Sequence, residues 1–109
     1  MIKITIFKNH DEQYMGFDCV GHAGYAPAGE DIICAGVSSL VINTVNSMAY
    51  FTDAKFTTDS NEDTGKLIVK LNKPADHDTN LLIKSLVLGL QGIQNNYGND
   101  YIILNFKEV

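Results

Sequence analysis

The stretch from Leu81 to Ile93 limits the folds open to this chain more than any other. Leu81, Leu82, Leu86, Leu90 and Ile93 recur at helical spacing, and Ile83, Val87 and Leu88 widen the apolar stripe beyond a single seam. A helix with so broad a face packs on a sheet and also meets another helix or a second subunit, because one line of contact leaves part of it in water. Asp76 or Asp78 is its candidate cap after the break at Lys73-Pro74, and Tyr97-Gly98-Asn99 ends it. Strand patterns supply the sheet. Ile2, Ile4 and Ile6 alternate with Lys3, Thr5 and Phe7, and Tyr14 to Gly21 places Met15, Phe17 and Cys19 on one face and Asp18, Val20 and His22 on the other. A further pair, near Lys55 to Asp59 and at Lys66 to Leu71, flanks an acidic turn, Ser60 to Gly65, expected to be a solvated hairpin tip. Tyr101 to Phe106 is the last strand.

With a first helix from about Ile32 to about Tyr50, the order is strand, strand, helix, strand, strand, helix, strand. That order predicts an α+β two-layer sandwich, a mostly antiparallel sheet with both helices on one face, in a single domain over residues 1–109. The chain is long enough for one core without metals or disulfides. Its net charge of −5 argues against a surface that binds nucleic acid by neutralising phosphates, and leaves a basic protein partner open. Neither a leader peptide nor an apolar run of membrane-spanning length is read, so a cytoplasmic protein without membrane attachment is expected. Thiols stay reduced there, and Cys19 and Cys34 are weighed separately. Cys19 shares a face with Met15 and Phe17 and reads as a small core residue.

Cys34 reads differently. Val37, Leu40, Val41, Val45 and Met48 follow it at helical spacing, so a helix begins beside it and Asp31 is its natural N-cap. Unpaired N–H groups and the positive dipole end of a helix, with an imidazolium nearby, lower a thiol's pKa and favour the reactive thiolate. His22 ends the preceding strand, and the Gly- and Ala-rich connection can bring it to the sulfur. There it can take the thiol proton and later protonate a leaving amine, while the N–H groups of Cys34 and Ala35 are candidate donors to an oxyanion. Ser38, one turn after Cys34, points back toward the thiol or a substrate, or else faces solvent or bonds to the preceding turn. Asp31 caps the helix, orients His22, or does both; aimed at Cys34, its charge would raise the thiol's pKa.

The run Gly21-His22-Ala23, then Gly29-x-Asp31-Ile32-x-Cys34-Ala35, then Ser38, resembles the ribosomal-processing cysteine proteases in order and spacing. The resemblance extends over essentially the whole chain. It implies a bacterial enzyme that trims the N-terminal extension of the large-subunit ribosomal protein numbered twenty-seven, cutting after a short hydrophobic and aromatic segment. It also implies His22 and Cys34 as the catalytic pair with Asp31 and Ser38 in support; no cofactor is expected, and the wide second helix, with the family leaning the same way, predicts a homodimer. A flexible loop that includes Ala23, Gly24, Tyr25 and Gly29 is expected to order over the substrate.

Two other readings compete. A metal site would use His22, Cys34 and either Asp31 or Cys19, although strand parity turns Cys19 away. A non-catalytic ribosome-assembly adaptor would bind the same basic partner through its acidic surface. His10 and His77 read as surface residues, and Asp59, Glu62 and Asp63 lack the spacing of a calcium loop.

Overall fold

Alternation in the first seven residues sends Ile2, Ile4 and Ile6 into the core and leaves Lys3 in water, which gives β1 (Ile2–Lys8) one buried face. In chain order there follow β2 (Tyr14–Gly21), α1 (Ile32–Phe51), β3 (Phe56–Asn61), β4 (Lys66–Leu71), α2 (His77–Tyr97) and β5 (Ile102–Glu108). The computed structural model describes residues 1–24, 26–27 and 31–109. Its strands form one sheet in the order β3-β4-β2-β1-β5, antiparallel throughout except where β5 runs parallel to β1. Both helices cover the face that carries the isoleucines of β1, as the sequence pattern predicts. The order of strands is new information. It places β2, which leads into the site, next to the β3–β4 hairpin.

One break in the alternation decides which side chains of β2 are inside. Phe7 pairs with Gly16 and Lys8 with Tyr14, so Met15 is an extra residue in the ladder. Tyr14, rather than the expected Met15, is therefore buried beside Phe17, because one inserted residue exchanges the faces of all that precede it.

The broad stripe of α2 is divided. Ile83, Leu86, Val87 and Leu90 are buried, while Leu81 and Leu88 are 59% and 71% exposed. A glycine lets the helices approach: a Cβ at Gly89 of α2 would come within 2.9 Å of the Leu40 side chain of α1. Contrary to the expectation of no such segment, α1 is long and apolar enough to cross a membrane by length and composition. Ile33, Val37, Val41 and Met48 account for part of that hydropathy by packing into the core, where the Thr44 hydroxyl donates to the Leu40 carbonyl. Each helix has an aspartate cap, with Asp76 accepting the Thr79 N–H of α2 at 2.9 Å.

Truncating the fully buried Leu90 to alanine is expected to cost about 2–5 kcal/mol, and truncating Leu88 to change the stability of the single subunit, read at high dilution, by less than about 0.5 kcal/mol. Urea unfolding of the two variants beside the parent protein tests this division of the stripe.

Candidate active site

The site is assembled at the N-terminus of α1. Asp31 Oδ1 accepts the N–H groups of Ile33 at 3.0 Å and Cys34 at 2.9 Å, and the Asp31 carbonyl accepts the Ala35 N–H at 3.0 Å. The cap sets Cys34 in the first turn, as expected. It also engages the two backbone donors, Cys34 and Ala35, that the sequence offered for an oxyanion, so that assignment is corrected. A different donor reaches the sulfur. The Ala23 N–H donates to Cys34 Sγ at 3.2 Å, and Ala23, the first residue of the expected flexible loop, is buried in the core. Gly24 is exposed at φ +72°, and Tyr25 and Gly29 lie outside the described residues.

These contacts reverse the expected acidity of the thiol. Burial pushes the Cys34 pKa up, the Ala23 N–H pulls it down, and the Asp31 carboxylate pushes it up again by charge and by hydrogen bonding. The carboxylate that fixes the helix end is aimed at Cys34, so its charge opposes the thiolate that the helix end would favour.

His22 arrives by a turn of the backbone that alternation does not foresee. Gly21 has φ +100°, and a side chain there would strike the Met1 carbonyl, so β2 ends in a twist that only glycine accommodates. His22 Nε2 then lies 3.4 Å from the Asp63 carbonyl oxygen in the β3–β4 turn. The turn is exposed at Ser60 to Thr64, as the sequence predicts, but its main chain also reaches the end of β2 and His22, a contact the sequence did not reveal. The Gly21 N–H donates to the Thr64 carbonyl at 3.1 Å, and a Cβ on Gly65 would lie 3.1 Å from His22 Cε1. A glycine closing an acidic turn was the only local signal, and tertiary packing gave it its meaning.

Two cavities meet at the thiol. One, of about 490 Å³, runs between α1 and the β3–β4 hairpin over Cys19, Val37, Val41 and Leu67. The other, of about 460 Å³, lies toward Gly24, Ala26, Asp31 and Ala35. His22, Cys34 and Ser38 are the residues that line both. Cys19 faces the core as expected, yet it lines the first cavity with Cys34, because α1 rests on the same face of the sheet. Its pKa is pushed up to about 11, mainly by burial and further by the charges of Asp18 and Cys34. Among the described residues no group of three or more His, Cys, Asp or Glu side chains is arranged to hold a metal ion. His10 and His77 sit at the surface beside Asp11 and Asp78.

A thiol and an imidazole that line the same two cavities are the equipment of a thiol hydrolase, and comparison with known proteins narrows the class to cysteine proteases. The family model described as cysteine protease Prp matches residues 1–102, and the chain belongs to that family. The ribosomal processing cysteine protease Prp of Bacillus subtilis (strain 168) is 32% identical over 101 residues, covering 89% of this chain and 90% of that protein. That of Staphylococcus aureus (strain Mu50) is 26% identical over 107 residues, covering 98% and 100%. A crystal structure of an essential ribosomal processing protease Prp from S. aureus, with a covalently linked product peptide, superposes with a TM-score of 0.92 at 26% identity, covering 98% of this chain and 100% of that one.

Asparagine caps a helix as well as aspartate but carries no charge. Asp31→Asn is therefore expected to leave the fold intact and lower the Cys34 pKa, since the removed carboxylate favours the thiol over the thiolate. Iodoacetamide alkylation of Cys34, followed by mass against pH, should show the variant's rate rising at lower pH than the parent's.

Proposed function

We propose that this cysteine protease removes the N-terminal extension of a large-subunit ribosomal protein, the one numbered twenty-seven, with Cys34 as nucleophile and His22 as its base. The observation that carries the reading is the convergence of His22, Cys34 and Ser38 on the junction of two cavities, a space that fits an extended peptide passing the thiol on both sides. The names of the relatives supply the ribosomal substrate class, and the net charge of −5 suits a cationic protein partner. Val37, Val41, Ile42 and Leu67 give one cavity an apolar wall suited to a hydrophobic or aromatic segment of the substrate.

The raised Cys34 pKa shapes the mechanism. At neutral pH the resting sulfur is a thiol, so its proton passes to His22 as Sγ attacks the scissile carbonyl carbon. His22 then returns the proton to the leaving amine, and water hydrolyses the thioester with His22 again as base. In the attacking complex the sulfur becomes bonded to carbon and is a poorer acceptor than before. The Ala23 N–H that it held is then free to turn to the oxyanion forming beside it, with the Ser38 hydroxyl as a second donor. Asp31 acts through the helix end and holds Cys34 in place. The enzyme works in the cytoplasm, where its substrate is made, and self-associates through the exposed Leu81 and Leu88, two turns apart on α2.

The test is incubation with a peptide spanning the extension and the first mature residues of that ribosomal protein, under reducing conditions, with products identified by mass. The parent is expected to cut one bond. Cys34→Ala should not cut, and His22→Ala should lose about 10²–10⁴-fold in rate. Binding of an intact peptide by folded parent protein would favour the adaptor reading instead.

A further inference from the structure

The β3–β4 turn makes three separate contacts with the end of β2, each on main chain or on the imidazole. The Gly21 N–H donates to the Thr64 carbonyl at 3.1 Å, the Asp63 carbonyl oxygen stands 3.4 Å from His22 Nε2, and Gly65 lies directly against the imidazole. Gly65 has φ +62°, and a Cβ there would strike the Gly21 carbonyl as well as approach His22 Cε1. The turn is itself braced. Asn61 Oδ1 accepts the Asp63 N–H at 3.0 Å, and the Glu62 carbonyl accepts the Gly65 N–H at 3.2 Å. This bracing orients the Asp63 peptide whose carbonyl faces the ring.

We propose that the β3–β4 turn, through the Asp63 carbonyl and Gly65, is the positioning element of the catalytic histidine and selects its tautomer. The inference rests on the reading of His22 as the base. A carbonyl oxygen can only accept, so the nitrogen that faces it must carry the proton. Nε2 is therefore N–H, and the lone pair that takes the Cys34 proton is on Nδ1. A base in a thiol–imidazole pair needs a third group to hold its tautomer and ring plane. Here a backbone carbonyl on a neighbouring hairpin takes that part, while the Asp31 carboxylate, beside Cys34, is engaged with the helix end. Asn61 and Gly65 are thus positioning residues that act on the chemistry through His22.

The tautomer is read on the resting protein, so a chain that cuts no peptide still answers the question. In a His10→Gln, His77→Gln background, His22 is the only imidazole, and long-range proton–nitrogen NMR correlation above its pKa distinguishes the two forms. An Nε2-protonated ring is expected. Gly65→Ala should mix the tautomers, lower kcat by roughly 10- to 100-fold with little change in KM, and move the acid limb of the kcat/KM profile. Asn61→Ala should do the same in smaller degree, and Asn61→Asp, which keeps the acceptor oxygen, should restore the parent's spectrum and rate. This pair serves equally if Gly65→Ala fails to fold. An Nδ1-protonated ring in the parent, or Asn61→Ala indistinguishable from the parent in tautomer and pH profile, overturns the proposal.

Discussion

Everything in the site depends on the Asp31 carboxylate closing the first turn of α1. Four N–H groups at a helix start lack partners within the helix, and Asp31 takes two of them while its own carbonyl takes the Ala35 N–H. Cys34 is consequently held at one height on the helix axis. Its sulfur meets the Ala23 N–H from one side and the cleft from the other.

That placement has an electrostatic consequence. An anion three residues before the thiol stabilises the helix end and disfavours a second negative charge beside it. The thiol therefore rests protonated, and the acyl transfer proposed for it relies on a base arriving in the right orientation more than on a preformed thiolate. Precise placement of His22 gains importance for the same reason. The backbone supplies it through Gly21 and Gly65, two positive-φ glycines whose missing side chains let β2 and the hairpin turn touch.

The sheet order explains how residues far apart in sequence converge. β4 pairs with β2 over Gly16–Cys19, which carries the β3–β4 turn alongside Gly21 and His22, forty residues away along the chain. Cys19 of β2 and Val37 and Val41 of α1 line the same cavity, so a core cysteine becomes part of the cleft floor. Apolar packing and cleft shape are therefore not separable here. The same Val37 and Val41 that fix α1 in the core also wall the larger cavity.

By itself the sequence determined the elements, their order and the Asp31 cap, because these follow from periodicity and from spacing over a few residues; it left Asp76 and Asp78 as alternative caps for α2 and singled out His22 and Cys34 through the resemblance of the motif around them. It misassigned Met15, since a bulge shifts the faces of a strand without a marked local signal, and it could not divide the α2 stripe between core and water. The donors at the sulfur, the rise in thiol pKa and the role of the acidic turn were decided only by tertiary structure. Each of these is a short-range force between groups distant in sequence. Hydrogen bonds and desolvation act over a few ångströms, and only the folded chain brings Ala23 to Cys34 and Asp63 to His22 within that range.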